Sequence, residues 1–242
     1  MVSVPKSASI SQRIAQLDWP QIQQALEADG FATLRSVLSL QECADLCSMY
    51  ERRELFRSRI DMTRFRFGEG EYKYFAAPLP SIVAELRTSL YPRVVPLANF
   101  WSKPLRMGIS FPDALDDFLE RCHRVGQIKP TPLLLRYEAG GYNCLHQDLY
   151  GELAFPLQFA FMLSRHGQDY EGGEFLLMEQ RPRSQSKCEA ISMGQGAGIV
   201  FTTRYRPVKG SRGTYRVNVR HGISRVHKGR RFALGIIFHD AK

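Results

Sequence analysis

His146 and Asp148 stand two residues apart in the stretch RYEAGGYNCLHQDLYG, residues 136–151, shortly after the paired glycines Gly140 and Gly141. In an extended chain, residues i and i+2 project to the same side. Cys144, His146 and Asp148 are therefore expected on one face at the end of a strand. Imidazole nitrogen and carboxylate oxygen both bind metals, but a lone His-x-Asp is weak evidence for a site. Its meaning depends on a third ligand elsewhere in the chain.

The segment TYRVNVRHGISRVHKGRRFALGIIF, residues 214–238, supplies one. Alternation puts Tyr215, Val217, Val219 and His221 on an apolar, inward face and Arg216 and Arg220 on the outer face. Ten residues beyond His221, Arg231 opens another strand and shares its face with Ala233 and Gly235, small residues that leave room beside the guanidinium. An inward arginine without an acidic partner needs a counter-charge, because an unpaired buried charge is costly. A bound carboxylate provides one through two parallel, charge-assisted hydrogen bonds. Two histidines and one carboxylate on one side of a metal leave the opposite positions open, which suits non-haem Fe(II) activating O2. The arginine then points to a keto acid that chelates iron at one end and offers a carboxylate to Arg231 at the other. The expected metal ligands and catalytic set are His146, Asp148 and His221.

The elements that must position these groups change character along the chain. Residues 1–17 read as a loosely held tail. Residues 18–131 read as a mainly helical region. Asp18, Pro20 and Gly30 mark the ends of one helix, and Ser39 with Glu42 forms a capping box for another. Residues 80–102 look helical but interrupted at Pro92 and Pro96. Within this region, residues 59–75, which contain RFRFGEGEYKY (64–74), read as a hairpin turning at Gly68–Gly70. Its mixture of arginines and aromatics fits either base stacking or an amphipathic edge. From residue 132 to 242 the segments 132–137, 155–163, 174–178, 198–203, 214–221 and 231–239 are strand-like, separated by turns. Helices followed by a run of strands indicate an α+β protein, one structural domain whose C-terminal part is a β-sandwich or small barrel. GQGAG (194–198) leads into a strand, so it reads as a plain turn and not a nucleotide-binding loop. His239 is expected to be a structural strand-end residue, and His123, His166 and His227 to be exposed.

With these residues in place, the sequence resembles the Fe(II)/2-oxoglutarate-dependent dioxygenases, whose shared core is a double-stranded β-helix, or jelly roll. HQD, HGISRVHKGRR and YEGGEFLLME (170–179) are similar to the prolyl-hydroxylase-like branch, in which a basic residue follows the second histidine by ten. RYEAGGYNCLHQD is similar to the AlkB nucleic-acid dealkylases. Two polar positions of the AlkB pattern are Leu135 and Ile237 here. Across residues 20–241 the chain looks closest to a bacterial oxygenase family assigned to oxidative demethylation of damaged DNA. The resemblance implies N-terminal helices packed on the jelly roll, with Fe(II), 2-oxoglutarate and O2 as cofactor and co-substrates. It also implies that Tyr137 touches 2-oxoglutarate beside Arg231. The implied reaction hydroxylates an N-methyl group on an alkylated base, in single-stranded DNA or flipped from a duplex. The alternatives are hydroxylation of a protein side chain and a non-enzymatic basic module that binds nucleic acid.

Composition narrows the setting. The 242 residues carry a net charge of +9, with 44% hydrophobic and 24% charged residues, which are globular values. From Thr202 to Arg231 there are ten Lys and Arg and no Asp or Glu, so the positive excess belongs to one C-terminal segment. Such a local field favours polyanionic partners or anionic substrates. The five cysteines show no paired Cys-x-x-Cys spacing, which argues against a disulfide framework or zinc ribbon. No apolar run is long enough for a membrane span and no secretory h-region is seen, so a cytoplasmic setting is expected.

Overall fold

The computed structural model describes residues 8–148, 150–211 and 213–242. Residues 1–7 of the expected tail and Arg212 of the basic segment lie outside the described residues. Five helices come first: α1 (Ile10–Ala15), α2 (Trp19–Asp29), α3 (Leu40–Met49), α4 (Ser81–Leu105) and α5 (Leu115–Arg124). Strands β1 (Phe31–Leu34), β2 (Phe56–Asp61), β3 (Gly68–Glu69) and β4 (Glu71–Phe75) are interleaved with them. The rest is β structure: β5 (Leu133–Glu138), β6 (Tyr142–His146), β7 (Leu157–Met162), β8 (Tyr170–Gly172), β9 (Phe175–Gln180), β10 (Lys187–Ile191), β11 (Gly198–Thr202), β12 (Tyr205–Gly210), β13 (Gly213–Ile223) and β14 (Val226–Ile236).

The strands form two antiparallel sheets. The larger runs β1-β11-β7-β14-β5-β4-β2, with β8 also on β14; the smaller runs β10-β9-β13-β6-β3, with β12 also on β13. This is the α+β jelly-roll architecture expected. One core fills the space between the larger sheet and the helices, with Leu86, Leu90, Trp101, Phe155, Phe159 and Phe238 among its buried members. A second lies between the sheets and includes Met62, Tyr137, Phe175, Phe201, Val217 and Val219. The alternation in β13 turns Val217, Val219 and His221 inward and leaves Arg216 and Arg220 exposed, as the sequence pattern requires.

Four local expectations are corrected. Residues 8–17 of the expected tail are not loose: Ser9 and Gln12 form a capping box for α1, and Ile10 and Ile14, four apart, are buried. Arg13 of the same helix holds the Glu42 carboxylate at 2.7 Å. Helix α4 is not interrupted; it runs unbroken through Pro92 and Pro96. Both prolines sit on its exposed face, where the carbonyls they leave unbonded can meet water. The hairpin of residues 59–75 is real, with β2 paired to β4, but its connection is longer than a glycine turn. A 3-10 turn at Met62–Phe65 leads into β3, which leaves the hairpin and pairs with β6 of the other sheet. Finally, β8, β10 and β12 were not expected. They are a three-residue strand, a largely exposed edge strand and a strand carrying Pro207: too short, too exposed or too interrupted to announce themselves.

Candidate active site

β6 and β13 are neighbours in the smaller sheet, and their register places His221 directly opposite His146. The two imidazole rings lie 4.2 Å apart between centroids. Just past the end of β6, Asp148 turns its carboxylate into the same space, with Oδ1 3.5 Å from His146 Nε2 and Oδ2 3.3 Å from His221 Nε2. One ligand atom from each of the three lies within 4.8 Å of the others, so the three sequence candidates are brought together.

The side chains around them fix orientation. His146 Nδ1 is 2.7 Å from the Cys144 carbonyl oxygen, to which it donates, leaving the Nε2 lone pair free to face the cluster. Tyr150 donates its hydroxyl to Asp148 Oδ1 at 2.8 Å, and the amide of Gln158 donates to Oδ2 at 2.9 Å. Tyr74 extends the chain by donating to the Tyr150 hydroxyl at 3.0 Å. Gln147, between His146 and Asp148, points the other way and bonds Asn218 Oδ1 at 2.6 Å and the Val219 carbonyl at 2.7 Å. It closes the gap where β6 ends and β12 begins along the same edge of β13.

The electrostatics call for a cation. Burial works against the Asp148 charge, but hydrogen bonds and charge from His146 and His221 pull its pKa well below the usual carboxylate value. His146 is displaced upward: burial opposes its charge, and the Asp148 hydrogen bond and charge outweigh that. The pKa of His221 moves downward through its own burial and the nearby His146. An ionised carboxylate between two imidazoles, each offering a ring nitrogen lone pair once it gives up its proton, is a donor set that a divalent ion would satisfy.

Arg231 is paired in register with Tyr137 across β14 and β5, and both are fully buried. Its guanidinium carbon lies 5.5 Å from the Tyr137 ring centre and 5.9 Å from that of Tyr170. The Nε has no hydrogen-bond partner. Burial pulls the Arg231 pKa down while Tyr137 and Tyr170 push it back, and a guanidinium stays charged regardless. The Tyr137 hydroxyl accepts from Asn143 Nδ2 at 3.4 Å. Close packing here depends on two glycines in the left-handed region. A Cβ on Gly173 (φ 65) would fall 2.9 Å from Arg231 Cδ, and one on Gly70 (φ 142) 2.7 Å from Tyr137 Cδ1.

Both groups line one cavity of about 400 Å³, with the histidines and Asp148 on one wall and Arg231 with Tyr137 on another. Leu135 and Ile237 are part of its apolar lining, along with Leu133, Phe159 and Phe201. Cys144 also borders it, as an exposed free thiol. His239 stands apart in a structural role, accepting from the Phe155 amide at 3.1 Å. His123, His166 and His227 are exposed, as expected. The sequence reading missed Tyr150, Gln158 and Asn143. Gln158 carries a signal, as a lone amide in the apolar run FPLQFAFML; Tyr150 and Asn143, in a polar loop and beside a glycine turn, carry none.

Comparison with known proteins agrees with this geometry. The fold is shared with a prolyl-4-hydroxylase of Pseudomonas putida, at TM-score 0.54 and 12% identity over 93% of this chain and 99% of that one. It is also shared with an oxidoreductase of the 2OG-Fe(II) oxygenase family from Burkholderia pseudomallei, at TM-score 0.52 and 14% identity over 93% and 91%. In sequence, the uncharacterized protein Rv2227 of Mycobacterium tuberculosis is 51% identical over 167 residues, which is 69% of this chain and 72% of the relative. Residues 70–241 match the model of a family described as oxygenases catalysing oxidative methylation of damaged DNA. With a cluster of two histidines and a carboxylate at the centre of the jelly roll, the chain belongs to that oxygenase family.

Proposed function

We propose that the protein is an Fe(II)- and 2-oxoglutarate-dependent dioxygenase that removes methyl groups from alkylated bases in DNA. The carrying observation is the pairing, in one cavity, of the His146–Asp148–His221 cluster with a buried arginine whose Nε has no partner. The donor set fits Fe(II), and the cavity offers a cation-seeking site and an anion-seeking site together. His146, Asp148 and His221 would hold the iron. Arg231, with Tyr137 beside it, would hold the far carboxylate of 2-oxoglutarate. Bound iron and co-substrate supply the oxidising chemistry, in which O2 hydroxylates the substrate while 2-oxoglutarate becomes succinate and CO2.

The residues of the chain bind, orient and exclude water. Tyr150 and Gln158 keep the Asp148 carboxylate from rotating, and the Cys144 carbonyl sets the His146 tautomer. The apolar walls at Leu133, Leu135 and Ile237 keep the reacting methyl group dry. The matched family is described by methylation, but this cavity suits oxygen insertion rather than a methyl donor, so the reaction is read as loss of a methyl group. A hydroxylated N-methyl group leaves as formaldehyde and restores the N–H.

The test is turnover of 2-oxoglutarate to succinate by iron-loaded protein, with and without methylated single-stranded DNA. Stimulation by the DNA, release of formaldehyde, and loss of both in Asp148→Ala are expected. DNA binding that is insensitive to salt would count against a phosphate-contacting substrate. A second reading, hydroxylation of a protein side chain, is favoured by the ten-residue step from His221 to Arg231 and by Ile237 in place of a second arginine. A peptide gaining one oxygen atom, with no formaldehyde from methylated DNA, would establish it instead.

A further inference from the structure

The segment RFRF (64–67) is not used by the site as described, yet it stands at the rim of the same cavity, with Arg66 and Phe67 among its lining. Phe65 is 55% exposed and Phe67 46%, and their rings lie 5.5 Å apart and 20° from parallel. Two large aromatics side by side in water are costly unless something covers them. The segment is also well anchored. Asp61 accepts from the Thr63 amide at 3.1 Å, Phe67 N–H bonds the carbonyl of fully buried Met62 at 3.0 Å, and the Phe67 carbonyl accepts from Cys144 N–H at 2.8 Å. That last bond ties the pair directly to the strand that carries His146.

Across the sheet order β13-β6-β3, Arg220 lies on the outer face next to His221, exposed Leu145 lies on β6, and the phenylalanine pair lies beyond it. Arg204 and Arg216 sit over the Tyr205 ring at 4.5 and 4.3 Å. Among the described residues, Arg204, Arg216 and Arg220 make no ion pair, whereas buried Arg206 of the same segment is committed to Glu179. One flank of the smaller sheet's outer surface therefore offers guanidinium groups with no ion-pair partner among the described residues, and the other, at the cavity rim, offers flat, exposed rings.

Resting on the nucleic-acid reading above, we propose that Phe65 and Phe67 form a stacking platform for unpaired bases next to the target, with Arg216 and Arg220 contacting the phosphates. The substrate strand is then single-stranded where it crosses the mouth, because a base in a duplex has both faces covered by its neighbours. A polyanion with flat rings matches both flanks; an apolar peptide would leave the arginines without partners.

The test uses the full chain and an unmethylated oligonucleotide carrying 2-aminopurine, as a single strand and as a duplex of the same sequence. Wild type should bind the single strand more tightly and quench the fluorescent base. Phe65→Ala with Phe67→Ala should weaken single-strand binding about tenfold or more and abolish the quenching, with little effect on the duplex. Phe65→Trp with Phe67→Trp should restore both. Arg216→Gln with Arg220→Gln should weaken both forms and flatten their salt dependence. Unchanged single-strand affinity in the alanine pair would overturn the proposal, as would binding of an acidic peptide that depends on the phenylalanines while DNA binding does not. Methyl removal that persists without phenylalanine-dependent binding sinks the platform and spares the function. Phenylalanine-dependent binding without methyl removal supports the platform and counts against the function.

Discussion

Asp148 has both carboxylate oxygens engaged by side-chain donors, Tyr150 on one and Gln158 on the other. Such partners orient a ligand and are commonly worth 10- to 100-fold in metal affinity. Gln158→Leu is thus expected to weaken Mn(II) binding by roughly that factor, and Tyr150→Phe by less, since its ring still fills the space. Arg231→Met should leave metal affinity in place and abolish binding of 2-oxoglutarate. Calorimetric titration with the metal and then with 2-oxoglutarate separates the two effects. The convergence of His146, Asp148 and His221 was legible because period-two alternation fixes which side chains share a face. The pairing with their orienting partners was not, because Tyr150 reaches back two residues within a loop and Gln158 reaches Asp148 from a strand ten residues on, and neither bond follows a period.

At the scale of elements, regular strands with alternation or continuous apolar runs were legible, and so were the helix caps at Asp18, Ser39 and Gly30. Short or exposed strands were not, since pairing across a sheet edge creates them without demanding any pattern of their own. β3 is the clearest case: two residues, Gly68 and Glu69, become a strand only because β6 is there to receive them. The turn between β8 and β9 offers a test of how closely such connections are tied to the site. Gly173→Ala would place a methyl against Arg231 and force a left-handed backbone, whereas an added methyl at Gly167, at φ 78, would have nothing within 4 Å of it. Both variants should lose about 1–2 kcal/mol in urea melts from the backbone alone. Only Gly173→Ala should also lose affinity for 2-oxoglutarate.

At the scale of the whole molecule, stability should depend on pH through His239. Burial and the neighbouring Arg87 lower its pKa from 6.5 to about 4. The folded state therefore favours the neutral ring, while the unfolded chain takes up a proton first as pH falls. The contribution is complete above pH 6.5, shrinks as pH falls toward 4 and levels off below that, for a total of roughly 3 kcal/mol. His239→Asn, which keeps an acceptor for the Phe155 amide, should reduce the pH dependence of urea midpoints across this window by about that amount. An unchanged slope would show that the ring takes its proton equally easily in both states.

The larger sheet has a further consequence. Its outer strands β1, β2 and β4 come from the helical part of the chain, while the middle is built from strands made much later; Phe31, for example, finds its partner in Phe201. A nascent polypeptide must therefore carry open strand edges while the ribosome completes the centre. Such long-range closure is slow and leaves those edges available to other molecules in the meantime. Biogenesis of this enzyme should be limited by assembly of the sheet from its rims inward, rather than by formation of its helices.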